Sequence, residues 1–248
     1  MAHYISSGSE NEAPATGLFV QLFEPAVVEL AGKMGLDFAI LDMEHTAATL
    51  ETVERISIAA ESVDLTTIVR LPGHDGNTVR RVLDIGADGI LIPRISSAKD
   101  VAQLRDAAFF APEGTRGSCS LTRAADFTLG VDETYHKREN EKTIVMGLIE
   151  LESAVHDIDA ILDAELLDAI VLGPGDLSQS MGHAGNLQHP AVVEKLETVL
   201  SAANDVNVPV AAYAVSDQDA REWVDRGANC ILYSDVRLLR SALEQITP

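Results

Sequence analysis

Eight short apolar runs recur along the chain, and each is followed by a longer stretch whose apolar residues return every three or four positions. The runs are rich in β-branched residues, so the alternation predicts strands and helices in βα units around a parallel sheet. Eight such units within 248 residues are what a (β/α)8 barrel requires. The predicted strands cover residues 17–22, 38–43, 66–71, 89–93, 143–150, 168–173, 208–214 and 230–234.

A doubly wound sheet is the alternative arrangement of βα units. It usually holds fewer units and carries a glycine-rich fingerprint after its first strand, where this chain has only FEPA at residues 23–26. We therefore favour the barrel. Residues 1–248 then form a single domain, with residues 1–16 as a flexible N-terminal segment and residues 112–142 as a long polar loop insert.

The charge of the chain excludes some classes of partner. Acidic residues number 39 against 18 Lys and Arg, which leaves a formal net charge of -21, and such a field repels both nucleic acids and anionic membranes. The two cysteines, Cys119 and Cys230, lie far apart and outline neither a disulfide framework nor a zinc site. We see no secretory start and no apolar run long enough to span a bilayer, so we expect a cytoplasmic protein.

The catalytic groups of barrel enzymes lie at the carboxyl ends of the strands. Glu150 ends the fifth predicted strand and Asp176 follows the sixth, so these two carboxylates are expected side by side at one rim. Two carboxylates, water and substrate oxygens make an oxygen-rich site for Mg2+ or another hard divalent ion. Other polar residues end further strands: Asp42, Glu44 and His45 the second, Arg70 the third, and Ser234 and Asp235 the eighth.

Each of these groups also has a purely structural interpretation. Asp176 or Glu152 can cap the helix that follows its strand. His45 can be a hydrogen-bonded turn residue, and Arg70 can pair with an acid for structure alone. The convergence of several such groups on one predicted rim nevertheless favours a functional site over a structural one.

The segment VLGPGDLSQSMG at residues 171–182 is open to three interpretations. It can be a glycine loop that cradles a phosphate, a turn that ends a strand, or the carrier of a metal-binding carboxylate. The phosphate sites of barrels usually follow the seventh and eighth strands, whereas this segment follows the sixth, which disfavours the first interpretation.

Six motifs follow one another with a characteristic order and spacing: LDMEH (41–45), VRLP (69–72), LDIGADGILIPRISSA (83–98), PEGTRG (112–117), IE (149–150) and GPGDLSQSMG (173–182). Together they resemble the HpcH/HpaI aldolase family of metal-dependent aldolases, which cleave 4-hydroxy-2-oxoheptanedioate and related 2-keto acids. The resemblance covers nearly the whole chain beyond residue 16. It implies a (β/α)8 TIM barrel of the phosphoenolpyruvate/pyruvate type that assembles as a homo-oligomer, usually a hexamer.

The resemblance also implies a role for each group of the rim. Glu150 and Asp176 would ligate a divalent ion such as Mg2+, Mn2+ or Co2+, and pyruvate would complete the shell through its carboxylate and keto oxygens. Arg70 would contact the keto oxygen, and His45, oriented by Asp42, would take part in proton transfer. Retro-aldol cleavage leaves an enolate, whose charge a metal ion and a guanidinium stabilise, and an imidazole held by a carboxylate suits a base near neutral pH.

Two further sets of residues are predicted to bind substrate. The glycines at residues 173 and 175 give the backbone freedom to turn sharply and let a small keto acid approach the main chain closely. In the insert, an arginine clamp is expected to hold the far end of a diacid substrate. The first set is Gly173, Pro174, Gly175, Leu177 and Ser178, and the second is Arg116 and Arg123.

The predicted activity is that of a class II aldolase, which reversibly cleaves a 4-hydroxy-2-oxo acid to pyruvate and an aldehyde. No lysine lies at the carboxyl end of a predicted strand, so the Schiff-base route has no candidate. Leu148 stands where the family commonly has Gln, and this departure leaves open a catalytically silent, ligand-binding barrel. A citrate-forming or acyl-CoA lyase-like enzyme is the other alternative, although an acyl-CoA substrate would need more basic residues at the rim.

Overall fold

All eight predicted strands are present in the computed structural model, which describes residues 13–247. They are β1 (Ala15–Val20), β2 (Phe38–Asp42), β3 (Thr66–Arg70), β4 (Gly89–Ile92), β5 (Ile144–Ile149), β6 (Ala169–Leu172), β7 (Val210–Tyr213) and β8 (Cys230–Ser234). The strands pair in chain order, all parallel, and β8 closes the barrel by pairing with β1. The predicted (β/α)8 barrel is confirmed.

The barrel begins earlier in the chain than predicted. Ala15 and Thr16 belong to β1, and the Thr16 N–H donates to Asp37 Oδ2 over 2.7 Å. These two residues are therefore part of the barrel and not of a flexible segment 1–16. The remainder of that prediction, residues 1–12, lies outside the described residues.

Helices connect the strands, and most begin at a residue suited to a helix start. The side chains of Thr49, Asp75 and Ser216 accept hydrogen bonds from the first turns of their helices, and proline opens three others. The helices are α1 (Pro25–Lys33), α2 (Leu50–Glu61), α3 (Gly76–Asp84), α4 (Ala98–Ala108), α5 (Glu133–Lys142), α6 (Glu152–His156), α7 (Ile158–Asp163), α8 (Pro174–Ser180), α9 (Pro190–Asp205), α10 (Asp217–Asp225) and α11 (Asp235–Glu244).

Two of these helices were not predicted. The insert 112–142 is not a loop throughout, because it holds a 3-10 turn at Arg123–Ala125 and the whole of α5. Only Tyr135 and Asn140 of α5 are buried, so its sequence lacks the apolar periodicity that marks a helix. The second is α8, which is a short helix within the segment expected to be a loop.

The side chains of the strands alternate between two apolar layers, as the period of two in a strand requires. An inner cluster fills the barrel and includes Phe38, Ile40, Met146 and Leu148. A larger outer cluster packs the opposite faces of the strands against the helices. The barrel is therefore a packed core, and room for a ligand exists only where this core ends, at its rims.

A repeated contact closes the N-terminal edge of the barrel. The residue before each even-numbered strand is Asp or Asn. Its side chain accepts a hydrogen bond from a main-chain N–H at the start of the preceding odd-numbered strand. We call this contact the N-terminal clasp. Glycine at positive φ forms the turn before three of the four clasps, at Gly35, Gly86 and Gly227. The four pairs are Asp37 with Thr16, Asp88 with Thr67, Asp168 with Val145, and Asn229 with Val210, over 2.7 to 2.8 Å.

None of the helices found within residues 13–247 combines the length and the apolar character needed to cross a membrane.

Candidate active site

A cavity of about 570 Å³ opens at the carboxyl ends of the strands. It brings together four of the predicted catalytic and metal-binding residues: His45, Arg70, Glu150 and Asp176. These residues come from four different strand ends, so the parallel arrangement of the barrel is what places them together.

Arg70 is fixed by two carboxylates on the neighbouring strand. The register of β2 and β3 sets Asp42 opposite Arg70, and the guanidinium donates from Nε to Oδ1 over 2.9 Å and from Nη2 to Oδ2 over 2.7 Å. Glu44 Oε2 lies 3.2 Å from Nη1, and the Phe19 ring supports the guanidinium at 4.7 Å. A guanidinium has five N–H groups, so some remain to bind a ligand in the cavity.

The environment of Asp42 keeps its carboxylate ionised. Burial alone would raise its pKa, but the hydrogen bonds and charge of Arg70 and the main-chain N–H groups of His45 and Glu44 outweigh burial and lower the pKa. The pair of Asp42 and Arg70 is therefore a charged and almost fully buried unit.

His45 lies at the mouth of the cavity, but Asp42 does not hold its ring. The Asp42 carboxylate accepts the main-chain N–H of His45 over 3.2 Å, while both of its oxygens are engaged by Arg70. The imidazole is 57% exposed, and its Nε2 lies 3.8 Å from Glu44 Oε2. The expectation that Asp42 orients the imidazole was wrong, because Asp42 positions only the backbone of the turn.

Glu150 follows β5 directly and is 2% exposed. Its Oε1 accepts the main-chain N–H of Arg94 over 2.7 Å, and Arg94 has a left-handed backbone at φ 50. Burial raises the pKa of Glu150 to about 7, and the negative charges of Glu44 and Asp176 add to this effect. One oxygen of Glu150 is thus held by the main chain that follows β4, and the carboxylate is close to other negatively charged side chains.

Asp176 lies in the first turn of α8 and lines the same cavity. It does not cap that helix, because Gly173 is the N-cap residue and no side chain bonds there. Within residues 13–247, no three His, Cys, Asp or Glu side chains converge on a point where a metal ion could bind. Glu150 and Asp176 remain a pair of hard oxygen donors, which suits a divalent ion whose other positions are taken by water and substrate oxygens.

Gly173 lets β5 and β6 bring these two acids together. Ile149 pairs with Leu172, so Gly173 stands next to Glu150, and a Cβ added to it would lie 2.6 Å from the Glu150 Cβ. The backbone of Gly173, at φ -108, is open to any residue. The need for glycine here is therefore steric.

We expect Gly173→Ala to displace Glu150 and to weaken Mn2+ binding roughly 10- to 100-fold, as changes beside a metal ligand commonly do. Gly175→Ala is the matched control, because a Cβ at Gly175 meets nothing within 4 Å. Calorimetric titration of both variants with Mn2+ would measure the difference. Equal affinities would show that Glu150 tolerates the displacement.

The predicted substrate-binding residues of the 171–182 segment divide into two groups. Gly173, Pro174 and Gly175 line the cavity, and their binding of substrate stays a prediction. Leu177 is instead buried in the outer apolar layer. Ser178 is also buried, and its hydroxyl donates to the Gly175 carbonyl over 2.7 Å, so both side chains have structural roles.

The predicted clamp of Arg116 and Arg123 was wrong. Both line a different cavity, beside Thr66 at the N-terminal end of β3, on the opposite face of the barrel from Glu150. Arg116 Nη2 donates to Asp84 Oδ1 over 2.8 Å, and Arg123 pairs with Glu61. Neither arginine lines the cavity at the carboxyl ends of the strands of its own chain.

Asp235, at the end of β8, is structural as well. Its Oδ2 accepts the main-chain N–H groups of Gln21 and Leu22 over 3.0 and 2.8 Å. This contact ties β8 to the turn after β1 and supports the closure of the barrel.

Sequence reasoning missed several residues that line the cavity. Gln21 follows β1, and its amide donates to Asp42 Oδ2 over 3.3 Å. Tyr213 ends β7, and its position at a strand end was the signal that could have found it. The helices after β7 and β8 contribute Trp223 and Arg237, and Arg226 directly follows the first of these helices.

The family model for HpcH/HpaI aldolase/citrate lyase matches residues 15–240, which is nearly the whole barrel. The chain belongs to this family. HpcH/HpaI membership identifies it as an enzyme of the aldolase type, and it confirms the resemblance that the sequence motifs indicate.

Three proteins illustrate what the chain is similar to. The 5-keto-4-deoxy-D-glucarate aldolase of Klebsiella pneumoniae subsp. pneumoniae is 29% identical over 231 residues, which is 93% of this chain and 90% of that protein. An HpcH/HpaI aldolase from Desulfitobacterium hafniense superposes with a TM-score of 0.86 at 33% identity, over 94% of this chain and 90% of the other. The citrate synthase SbnG superposes with a TM-score of 0.82 at 27% identity, over 96% and 94% of the two chains.

Proposed function

We propose that this protein is a divalent-metal-dependent aldolase that reversibly cleaves a 4-hydroxy-2-oxo acid to pyruvate and an aldehyde. The observation that carries the proposal is the meeting of Glu150 and Asp176 with Arg70 in one cavity at the carboxyl ends of the strands. Carboxylates suit a hard metal ion, and a guanidinium suits the oxyanion of a keto acid.

The charge of the site supports a divalent ion. The carboxylates of Asp42, Glu44 and Glu150 interact with the charge of Arg70, and the Asp176 carboxylate interacts with that of Glu150. Burial is the main cause of the raised pKa of Glu150, and the negative charges of Glu44 and Asp176 raise it further. A bound Mg2+, Mn2+ or Co2+ ion would neutralise this negative charge and would supply a Lewis acid that stabilises negative charge as the carbon-carbon bond breaks.

The other residues of the site then have distinct tasks. Arg70, fixed by Asp42, offers its remaining N–H groups to the keto oxygen, where the enolate charge develops. His45 stands exposed at the cavity mouth, where it can exchange protons with a substrate hydroxyl or a water. Gly173 and Gly175 allow the keto acid to approach the main chain.

The proposal is tested by pyruvate release from a panel of 4-hydroxy-2-oxo acids. We expect release to stop when EDTA removes the metal and to return on addition of Mg2+, Mn2+ or Co2+. Activity that survives complete metal removal would contradict the mechanism. A protein that binds no pyruvate with metal and turns over no aldol donor would be the silent, ligand-binding barrel that Leu148 leaves open.

A citrate-forming or acyl-CoA lyase-like activity is the second candidate, and the similarity to the citrate synthase SbnG favours it. Arg226 and Arg237 line the cavity in addition to Arg70. Arg226 lies within 4.0 Å of Glu197, and Asp219 and Glu222 share this wall of the cavity. This mixed charge suits a small polar aldehyde better than the phosphates of CoA.

We also propose that the chain forms a homo-oligomer, and the resemblance implies a hexamer. Leu238, Leu239 and Leu243 of α11 are about half exposed, and they give this last helix an apolar face that a second copy would cover. Sedimentation equilibrium of the full chain measures its mass, and a monomer at micromolar concentration would contradict the assembly.

A further inference from the structure

Tyr213 is a cavity residue to which neither the motifs nor the proposed mechanism gives a role. It ends β7, packs against the inner apolar cluster and lines the cavity with Arg70 and Glu150. Its ring lies 5.3 Å from the Phe19 ring in a tilted arrangement. The ring is therefore held in place from the inner side of the barrel.

The hydroxyl of Tyr213 has no hydrogen-bond partner among residues 13–247. The residue is half-buried and lines the cavity, so its hydroxyl is free to bind a ligand there. Burial raises the pKa of this hydroxyl, and the negative charges of Asp42 and Glu150 add to the effect against the opposing charge of Arg70. The group is thus a neutral hydrogen-bond donor that stands close to the charged residues of the site.

The place of Tyr213 in the barrel indicates which part of a substrate it meets. Glu150 and Asp176 belong to the ends of β5 and β6, and β7 is the next strand of the barrel. Trp223 and Arg237, from the helices after β7 and β8, line the cavity beyond it. A keto acid bound through a divalent ion at these two carboxylates would have the Tyr213 hydroxyl within the same cavity, on the side of β7.

We propose that Tyr213 is a catalytic residue whose hydroxyl donates a hydrogen bond to the substrate oxygen that becomes the aldehyde oxygen. The assignment rests on the proposed aldolase function. Leu148, also on the wall of this cavity, carries no polar atom on its side chain, so the hydroxyl of Tyr213 supplies a donor that β5 does not.

Cleavage leaves the Tyr213 side chain chemically unchanged. The bond between C3 and C4 of the substrate breaks, and its electron pair becomes the enolate of pyruvate. The proton of the 4-hydroxyl passes to a base, for which His45 is the candidate, and the oxygen left behind becomes the aldehyde carbonyl. Tyr213 keeps its own proton and stabilises the negative charge that this oxygen carries during the transfer.

The test compares Tyr213→Phe with the wild type in two reactions. We expect kcat for aldol cleavage to fall on the order of 100-fold, the usual effect of removing one such donor, because the phenyl ring preserves the packing on Phe19. Metal-dependent exchange of the pyruvate methyl protons with deuterium, followed by NMR, needs no aldehyde oxygen. We expect this exchange to continue at the wild-type rate.

Tyr233→Phe is the matched control, because Tyr233 packs on the outer layer and does not line the cavity. Cleavage by Tyr213→Phe at the wild-type rate would overturn the assignment. Equal loss of cleavage and exchange would overturn it too, since Tyr213 would then act by organising the whole site. A wild-type protein with neither reaction would refute the aldolase function itself, and the role of Tyr213 would fall with it.

Discussion

Exchanging Glu150 for glutamine will remove tight binding of a divalent ion and lower pyruvate release by roughly 1,000-fold or more. The amide is a weaker ligand than a carboxylate, and it brings N–H donors into a site that needs only acceptors. The main-chain N–H of Arg94 can still donate to the remaining amide oxygen. The fold is therefore expected to survive the exchange.

Isothermal titration with Mn2+ and a coupled pyruvate assay would measure both effects. Glu152→Gln is the control, because Glu152 is an exposed residue in the first turn of α6, only two positions further along. Wild-type Mn2+ affinity in the Glu150 variant would remove this residue from the metal site. A loss of Mn2+ affinity in both variants would indicate that the total negative charge of the rim, and not Glu150 in particular, binds the ion.

Replacing Arg70 by alanine is expected to affect both catalysis and stability. We expect kcat/KM to fall by roughly 1,000-fold, because the donors aimed at the keto oxygen are lost. We also expect the free energy of unfolding to fall by roughly 3–5 kcal/mol, because Asp42 is fully buried and loses its partner.

A second variant separates these two effects. In Asp42→Asn combined with Arg70→Ala, the buried negative charge is gone, so denaturant unfolding should recover much of the lost stability while activity stays low. Arg70→Lys keeps the charge but cannot make the two parallel bonds to Asp42, and we expect an intermediate loss. Full activity in either variant that carries Arg70→Ala would reassign Arg70 to a structural role.

The barrel, and the meeting of several polar residues at its rim, could be predicted from the sequence because both follow from the order of strands and helices. Strand periodicity locates each strand, and the parallel barrel fixes that Glu150, Asp176 and Arg70 stand at one rim. The partner of Asp42 could not be predicted in this way. The resemblance assigned Asp42 to His45, whereas the register of β2 with β3 sets Asp42 opposite Arg70.

The error over Arg116 and Arg123 has a topological cause. The insert 112–142 connects the end of α4 to the start of β5. A helix of a βα unit returns the chain to the N-terminal edge, so every connection from helix to strand lies on that face. The direction of the chain alone is therefore enough to place both arginines on the face away from the active site.

The N-terminal clasps have a consequence for how the barrel forms. Each clasp joins residues only 19 to 23 positions apart. The four clasps therefore connect strands that follow one another directly in the chain. Only the pairing of β1 with β8 joins the two ends of the sequence. Contacts of short sequence separation form with a small loss of chain entropy and favour rapid folding, so we expect neighbouring strand pairs to assemble early and the seam between β1 and β8 to close last.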